Sequence, residues 1–228
     1  MRFKSVVLGP ASGSVAGLTY SHNAGGQYIR ARSTPTDPAT AQQQTVRAAV
    51  SALVSLWKDT LTQAQRDAWQ LYADNVPLID VFGDPKYRTG INHYVRSNVP
   101  RIQAGSPRVD DGPTTFDLGD YTAPSFGFDA TNDEVDVTFV NTDDWAGEDD
   151  SDMLVFCGRP QSPTINFFKG PYRYAGKIEG DSVTPPTTPA AISLPFAIEA
   201  GQKGFARIIV SRADGRLSTP FRGSAVAT

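Results

Sequence analysis

The chain has 228 residues, 39% of them hydrophobic and 20% charged, which suits a folded protein with a core and excludes a globally disordered one. Its formal net charge is −3. No apolar run reaches the roughly 18–20 residues a membrane helix needs. Cys157 is the single cysteine, so neither an intrachain disulfide nor a thiolate zinc cluster can form. It lies in the apolar stretch "MLVFCGRP" and is expected to be a buried, inert thiol.

The first stretch, "MRFKSVVLGP", carries an apolar run too short for a secretory leader, which points to synthesis in the cytoplasm. Next come "AGLTYS" and "QYIRAR", two strand candidates flanking "HNAGG", a hairpin signal. Alternation places Tyr28, Arg30 and Arg32 on one side of the second strand. The glycines do not form a phosphate loop, because they are adjacent, no lysine follows, and a strand rather than a helix comes next. "STPTDP" ends the strand, since prolines lack ladder donors.

A helical stretch follows. In "TAQQQTVRAAVSALVSLWKD" the residues Val46, Ala49/Val50, Leu53 and Leu56/Trp57 recur at helical spacing. In "LTQAQRDAWQLYADNVP", Thr62 and Gln65 match a capping box, with a stripe through Ala64, Ala68, Leu71/Tyr72 and Asn75/Val76. The short connection implies an antiparallel α-hairpin, with Trp57 and Trp69 as core near its closed end. "LIDVFGDPKYRTG" reads as a loop with a turn at Gly83–Pro85. A third helix is expected in "TGINHYVRSNVPRIQAG", buried through Ile91, Tyr94/Val95, Val99 and Ile102, and kinked or divided at Pro100.

From about Pro113 the pattern turns all-β. Seven candidates alternate with Asp, Gly and Pro clusters: "SFGFD", "EVDVTFV", "MLVFCGR", "YRYAGKI", "AISLPFAI", "GFARIIVSRA" and "STPFRGSAVA". Val135, Val137 and Phe139 share one face of their strand, Phe205, Ile208 and Val210 form the apolar set of another, and Asp214–Gly215 is a hairpin turn. The expected fold class is therefore α+β in three regions. Residues 1–39 form an extended arm with a β-hairpin, 40–112 a small helical region, and 113–228 an antiparallel β-sandwich. "GFARIIVSRADGRLSTPFRGSAV" resembles the last two strands of a fibronectin type III module, of the Ig/fibronectin III-like class. The tryptophan that family places on an early strand is absent, and Trp145 falls in a loop.

Charge is unevenly distributed. Residues 1–108 hold 12 Lys and Arg against 6 Asp and Glu, and residues 109–228 hold 9 against 18. Such a split favours contact between neighbouring copies. The acidic loop Asp143–Asp152 is the best metal candidate by composition, but its spacing does not follow an EF-hand, and docking onto a basic neighbour is its other role. His22 and His93 have no "GxSxG" elbow or similar framing, so no catalytic, cofactor-binding or metal residue is assigned. The scattered arginines Arg30, Arg32, Arg47, Arg96, Arg101 and Arg108 do not mark a nucleic-acid face.

The glycine-containing hairpin with "QYIRARSTPTDPATAQQQTVR", then "LTQAQRDAWQLYA" and "TGINHYVRSNVPRIQAG", resembles uncharacterised tailed-bacteriophage and prophage virion proteins over about 85 residues, continuing weakly into "RPQSPTINFFKGPYRYAG". The resemblance implies a non-enzymatic virion component with no cofactor: a capsid decoration (cement) protein or a neck or tail part. Its partners would be major capsid or neck/tail subunits and copies of itself. Tyr28, Arg30, Arg32 and Arg47 are the expected partner contacts. The alternative is a carbohydrate- or surface-binding sandwich recognising a host-surface glycan, with Phe167, Phe168, Tyr172 and Tyr174 as a sugar-stacking strip. A third reading is a hydrolase hidden in the sandwich.

Overall fold

At Ala16 and Gly17 the backbone takes φ values of 46° and 80°, the two positive values of a type I′ turn. The dipeptide read as the start of a strand is therefore a two-residue hairpin turn. It joins β1 (Gly13–Val15) to β2 (Leu18–Asn23), and β3 (Gly26–Ala31) pairs on the far side of β2. The computed structural model describes residues 12–23, 26–34, 36–79 and 83–228. Ala24 and Gly25 of the expected hairpin loop, Pro35, the leading stretch 1–11, and Asp80, Val81 and Phe82 lie outside them.

Contacts divide the chain into two compact units, Met1–Ala41 and Gln42–Thr228. The first is an antiparallel sheet in the order β1-β2-β3. Its register sets Ser14 opposite Thr19, Ser21 opposite Tyr28 and Thr19 opposite Arg30, giving one polar face. Val15 opposite Leu18, Tyr20 opposite Ile29 and Leu18 opposite Ala31 give an apolar one. No described side chain of these strands is buried, and Val15 and Leu18 are 68% and 41% exposed.

In the second unit, α1 (Ala41–Asp59) and α2 (Gln63–Asn75) are separated by a tight connection. The capping box is present: the Gln65 N–H donates to Thr62 Oγ1 (3.3 Å), and the Thr62 N–H donates to Gln65 Oε1 (2.9 Å). Leu53 of α1 is buried as its period requires. The stripe on α2 is rotated by one residue from the expected one: Trp69, Tyr72 and Ala73 are buried while Ala64 and Leu71 are exposed. Trp69 decides this rotation, because the largest apolar side chain on the helix has most surface to remove from water. Trp57 and Trp69 meet through a third ring, Tyr94, at 5.5 and 5.7 Å. After α2, β4 (Leu78–Ile79) pairs with β5 (Pro85–Lys86).

The third helix, α3 (Gly90–Ala104), runs continuously through Pro100 instead of dividing there. Its buried face also differs from expectation. Tyr94 is buried, but so are His93, Ser97, Asn98 and Arg101, whereas Ile102 is 37% exposed. Polar groups are tolerated inside when their hydrogen bonds are replaced. Asn98 Nδ2 donates to the carbonyls of Tyr94 (3.0 Å) and Val109 (2.9 Å), and its Oδ1 accepts from the Val109 N–H (2.8 Å). Arg101, 1% exposed, ties the helix to the strands. Its Nε donates to the Pro107 carbonyl (2.7 Å), Nη1 to Ser211 Oγ (3.1 Å) and the Arg212 carbonyl (3.0 Å), and Nη2 to the Asp150 carbonyl (3.1 Å).

The remaining strands are β6 (Ser125–Asp129), β7 (Glu134–Thr138), β8 (Asp152–Cys157), β9 (Arg173–Glu179), β10 (Ala190–Ser193), β11 (Lys203–Ser211) and β12 (Phe221–Val226). They form a three-stranded sheet, β10-β7-β6, and a four-stranded sheet, β12-β11-β8-β9, every pair antiparallel. Val135, Val137 and Ile192 of the first sheet and Val155, Ile208 and Val210 of the second fall in one hydrophobic cluster. The loop residue Trp145 belongs to that cluster at 1% exposure, its ring 5.2 Å from Phe139. The molecule is thus a mixed α+β fold of three helices and several antiparallel sheets. None of the described helices is long and apolar enough to cross a membrane.

Candidate binding face on the four-stranded sheet

Period-two alternation assigns the two faces of β11. Ala206, Ile208 and Val210 point into the shared core, so Phe205, Arg207, Ile209 and Ser211 point outward. Phe205 therefore lies on the opposite face from Ile208 and Val210, with which the sequence grouped it. Across β12, Ser224 stands opposite Phe205 and Arg222 opposite Arg207; across β8, Phe156 stands opposite Arg207 and Leu154 opposite Ile209. The outward face is thus a mixture of rings, arginines and aliphatics.

Its two ends differ. At one end Arg101 reaches Ser211, Ala104 packs on the cluster of Leu154, Phe156 and Ile209, and the helix exit supplies Ser106. Ser106 Oγ donates to Asp152 Oδ2 (2.6 Å) and accepts from Lys177 Nζ (3.0 Å); Lys177 also pairs with Glu179 (2.7 Å) and Asp152 (3.4 Å). These groups border a polar cavity of about 270 Å³. A serine beside a lysine invites a nucleophile-and-base reading. Burial pulls the Lys177 ammonium down, but the hydrogen bond to Glu179 and the charges of Asp152 and Glu179 outweigh it, and its pKa is raised. A cationic lysine is a donor, so it does not take the Ser106 proton at neutral pH.

The other end carries the aromatic groups. The connection from β8 to β9 lays Phe168 on Phe205, stacked with centroids 5.3 Å apart, and Tyr172 meets Phe168 edge-on at 5.2 Å. The Arg207 guanidinium lies 4.5 Å from the Phe156 ring centroid and 5.7 Å from that of Tyr172. Burial, then the charge of Arg222, lowers the Arg207 pKa, and burial raises that of Tyr172 against the pull of Arg222 and Arg207. A cavity of about 210 Å³ opens here, bordered by Asn166, Phe167, Phe168, Tyr172, Phe205 and Arg222.

Of the ring residues chosen from the sequence, Phe168 and Tyr172 come together at this cavity and Phe167 stands beside it, 79% exposed. Tyr174 does not join them; it packs on Phe156 at 5.7 Å, beside Leu154. In the arm, Tyr28 and Arg30 share the polar face of β3, and exposed Arg32 follows it, its backbone N–H donating to the Gly17 carbonyl (2.7 Å). Arg47 is exposed on α1, in the other unit. Arg207 and Arg222 were missed; their only signal was the parity of Phe205 and Arg207 in "GFARIIVSR".

Most carboxylates of the acidic loop are engaged by neighbouring protein groups. Asp143 accepts from the Thr122 N–H (2.7 Å) and Oγ1 (3.1 Å), and Asp144 from the Asp120 N–H (3.0 Å). Asp149 accepts from Ser182 N–H (2.8 Å) and Oγ (2.9 Å), and Glu148 pairs with Arg212. Among the described residues, no group of three or more His, Cys, Asp or Glu side chains is placed to hold a metal ion. Cys157 is buried, and burial pushes its thiol up to about 12, leaving it protonated and unreactive at neutral pH. No protein-family model, curated protein or solved structure matches this chain.

Proposed function

We propose that this chain is a non-enzymatic structural component of a tailed-bacteriophage virion, a capsid decoration protein or a neck or tail part, that binds neighbouring subunits through its N-terminal arm and helices. The observation that carries the assembly role is the arm itself: three paired strands with no buried side chain among the described residues. Strand pairing without burial is marginal in water, and a second surface supplies what is missing. The first neighbour to consider is another copy of this chain. Residues 1–41 hold four Lys and Arg against one Asp, while residues 109–228 carry twice as many acidic as basic residues (18 against 9), so the two are complementary in sign. The virion setting rests on the sequence resemblance.

The two strand orders, β10-β7-β6 and β12-β11-β8-β9, support reading the seven-stranded part as a fibronectin type III-like sandwich. In that arrangement the sandwich projects or binds laterally while the arm holds on. The test is charge reversal in the full chain, Arg30→Glu with Arg32→Glu, followed by quantifying the protein in purified particles and its sedimentation when free. The expected outcome is loss of incorporation with an unchanged unfolding midpoint. Normal incorporation of the double variant would overturn the proposal.

A further inference from the structure

We infer that the aromatic cavity on the outward face of the four-stranded sheet is a binding site for a sugar ring bearing a carboxylate. Arg207 and Arg222 lie directly opposite each other on adjacent antiparallel strands, an arrangement in which like charges repel. Elsewhere in this half of the chain, Arg212, Arg216 and Lys177 pair with carboxylates, while Arg159 and Arg173 lie over the Phe196 ring. Among the described residues neither Arg207 nor Arg222 has a carboxylate partner, and Lys203, whose Nζ donates to Asn166 Oδ1 (3.0 Å), adds a third cation with none. Arg207 Nε is buried with no hydrogen-bond partner, which is a costly state for a charged donor. Arg222 borders the cavity, with Arg207 opposite it on the next strand and Lys203 further along β11, and this local excess of positive charge favours an external anion at Arg222.

The surroundings define the anion. The fork of Arg222, which borders the cavity, suits a planar carboxylate. Phe168, stacked on Phe205, fixes one wall, and exposed Phe167 offers an apolar face to the C–H side of a ring. Asn166 and Ser224, both at the border, can serve ring hydroxyls. About 210 Å³ is below the roughly 300 Å³ at which drug-sized ligand pockets begin, so it takes one ring rather than an extended ligand. A nucleic-acid strand would need a longer basic track than these three side chains provide. This site is independent of the arm and of the assembly role proposed above.

The experiment is calorimetric titration of the full chain with a uronic-acid trisaccharide, its neutral hexose counterpart and an acidic Glu-containing peptide. The acidic sugar is expected to bind at least about tenfold more tightly than the neutral one, as loss of a charge-assisted hydrogen-bond pair implies. Arg222→Ala should remove that preference and Phe167→Ala should weaken both sugars, each with an unchanged unfolding midpoint because both side chains are exposed. Equal binding of the two sugars, absence of sugar binding, insensitivity to Arg222→Ala, or tighter capture of the peptide through Arg222 would each overturn the inference. Particle incorporation by the Arg222→Ala protein reports separately on the assembly role.

Discussion

The strands of Met1–Ala41 and those of Gln42–Thr228 make the same kind of antiparallel ladder and differ in what lies on their faces. In the arm the register separates Val15, Leu18 and Tyr20 from Ser14, Thr19, Tyr28 and Arg30, yet none of these side chains is buried. In the larger unit the equivalent alternation on β7 and β11 closes Val135, Val137, Ile208 and Val210 away from water. Backbone pairing alone leaves most of the chain entropy uncompensated, and apolar burial is what offsets it. The two units therefore respond differently to substitution, and all three tryptophans, Trp57, Trp69 and Trp145, report on the larger one.

The largest effect is expected at Trp69, which contacts Tyr72 and Tyr94 and donates from Nε1 to the Asp110 carbonyl (2.9 Å). Trp69→Ala should cost about 4 kcal/mol, read as a lower urea midpoint by fluorescence of the remaining tryptophans. A loss below about 1 kcal/mol would mean that the helices contribute little to the larger unit. Arg101→Met comes next. It removes donors from the carbonyls of Pro107, Asp150 and Arg212, and about 3 kcal/mol of destabilisation is expected by the same assay. Arg101→Lys should recover only part, because an ammonium lacks the planar fork.

Acidification probes the larger unit in a second way. His93 is 1% exposed, neither ring nitrogen has a hydrogen-bond partner, and burial, followed by the charge of Arg96, lowers its pKa to about 4. The fold holds the neutral ring, while the unfolded chain takes up a proton near pH 6.5. Stability is therefore full above that pH, falls as pH drops from about 6.5 to about 4, and gains no further penalty from His93 below that, a total of at most ~3 kcal/mol. Asp110, held low by its hydrogen bond to Arg108, has its loss at lower pH still, since a depressed carboxylate is protonated only below its usual range. His93→Phe should flatten the upper window in urea titrations between pH 7 and 4.5; an unchanged slope would show that another group governs it.

The smallest expected effect is in the arm. Val15→Ser with Leu18→Ser replaces two exposed side chains and should move the midpoint of the larger unit by less than about 0.5 kcal/mol. A larger shift would break the separation drawn between the two units.

Local chemistry made much of this readable. Thr62 and Gln65 announce the start of α2 because a capping box is satisfied within four residues. Val135 and Val137 declare the buried face of β7 through simple alternation. The inward face of α3 was unreadable as a hydrophobic stripe, because it buries the polar His93, Ser97, Asn98 and Arg101, and Arg101 finds its acceptors at Asp150, Ser211 and Arg212, far away in sequence. Trp145 was hidden for a related reason: no period marks a loop residue that folds back into a core. At the candidate site, Phe168 and Tyr172 were visible as rings, but the arginine pair was not, since Arg207 meets Arg222 only through strand register.

The amino-acid order by itself determined the three helices, the seven strands that follow α3 and the hairpin signals, all of which follow from periodicity, capping and turn residues acting over a few positions. Tertiary structure alone decided which polar side chains go inside and which charges stand together. Those outcomes depend on acceptors such as the Arg212 carbonyl, which lies beyond the reach of any local pattern around Arg101. The buried Arg101 guanidinium is satisfied by acceptors that are brought to it only once the chain has folded.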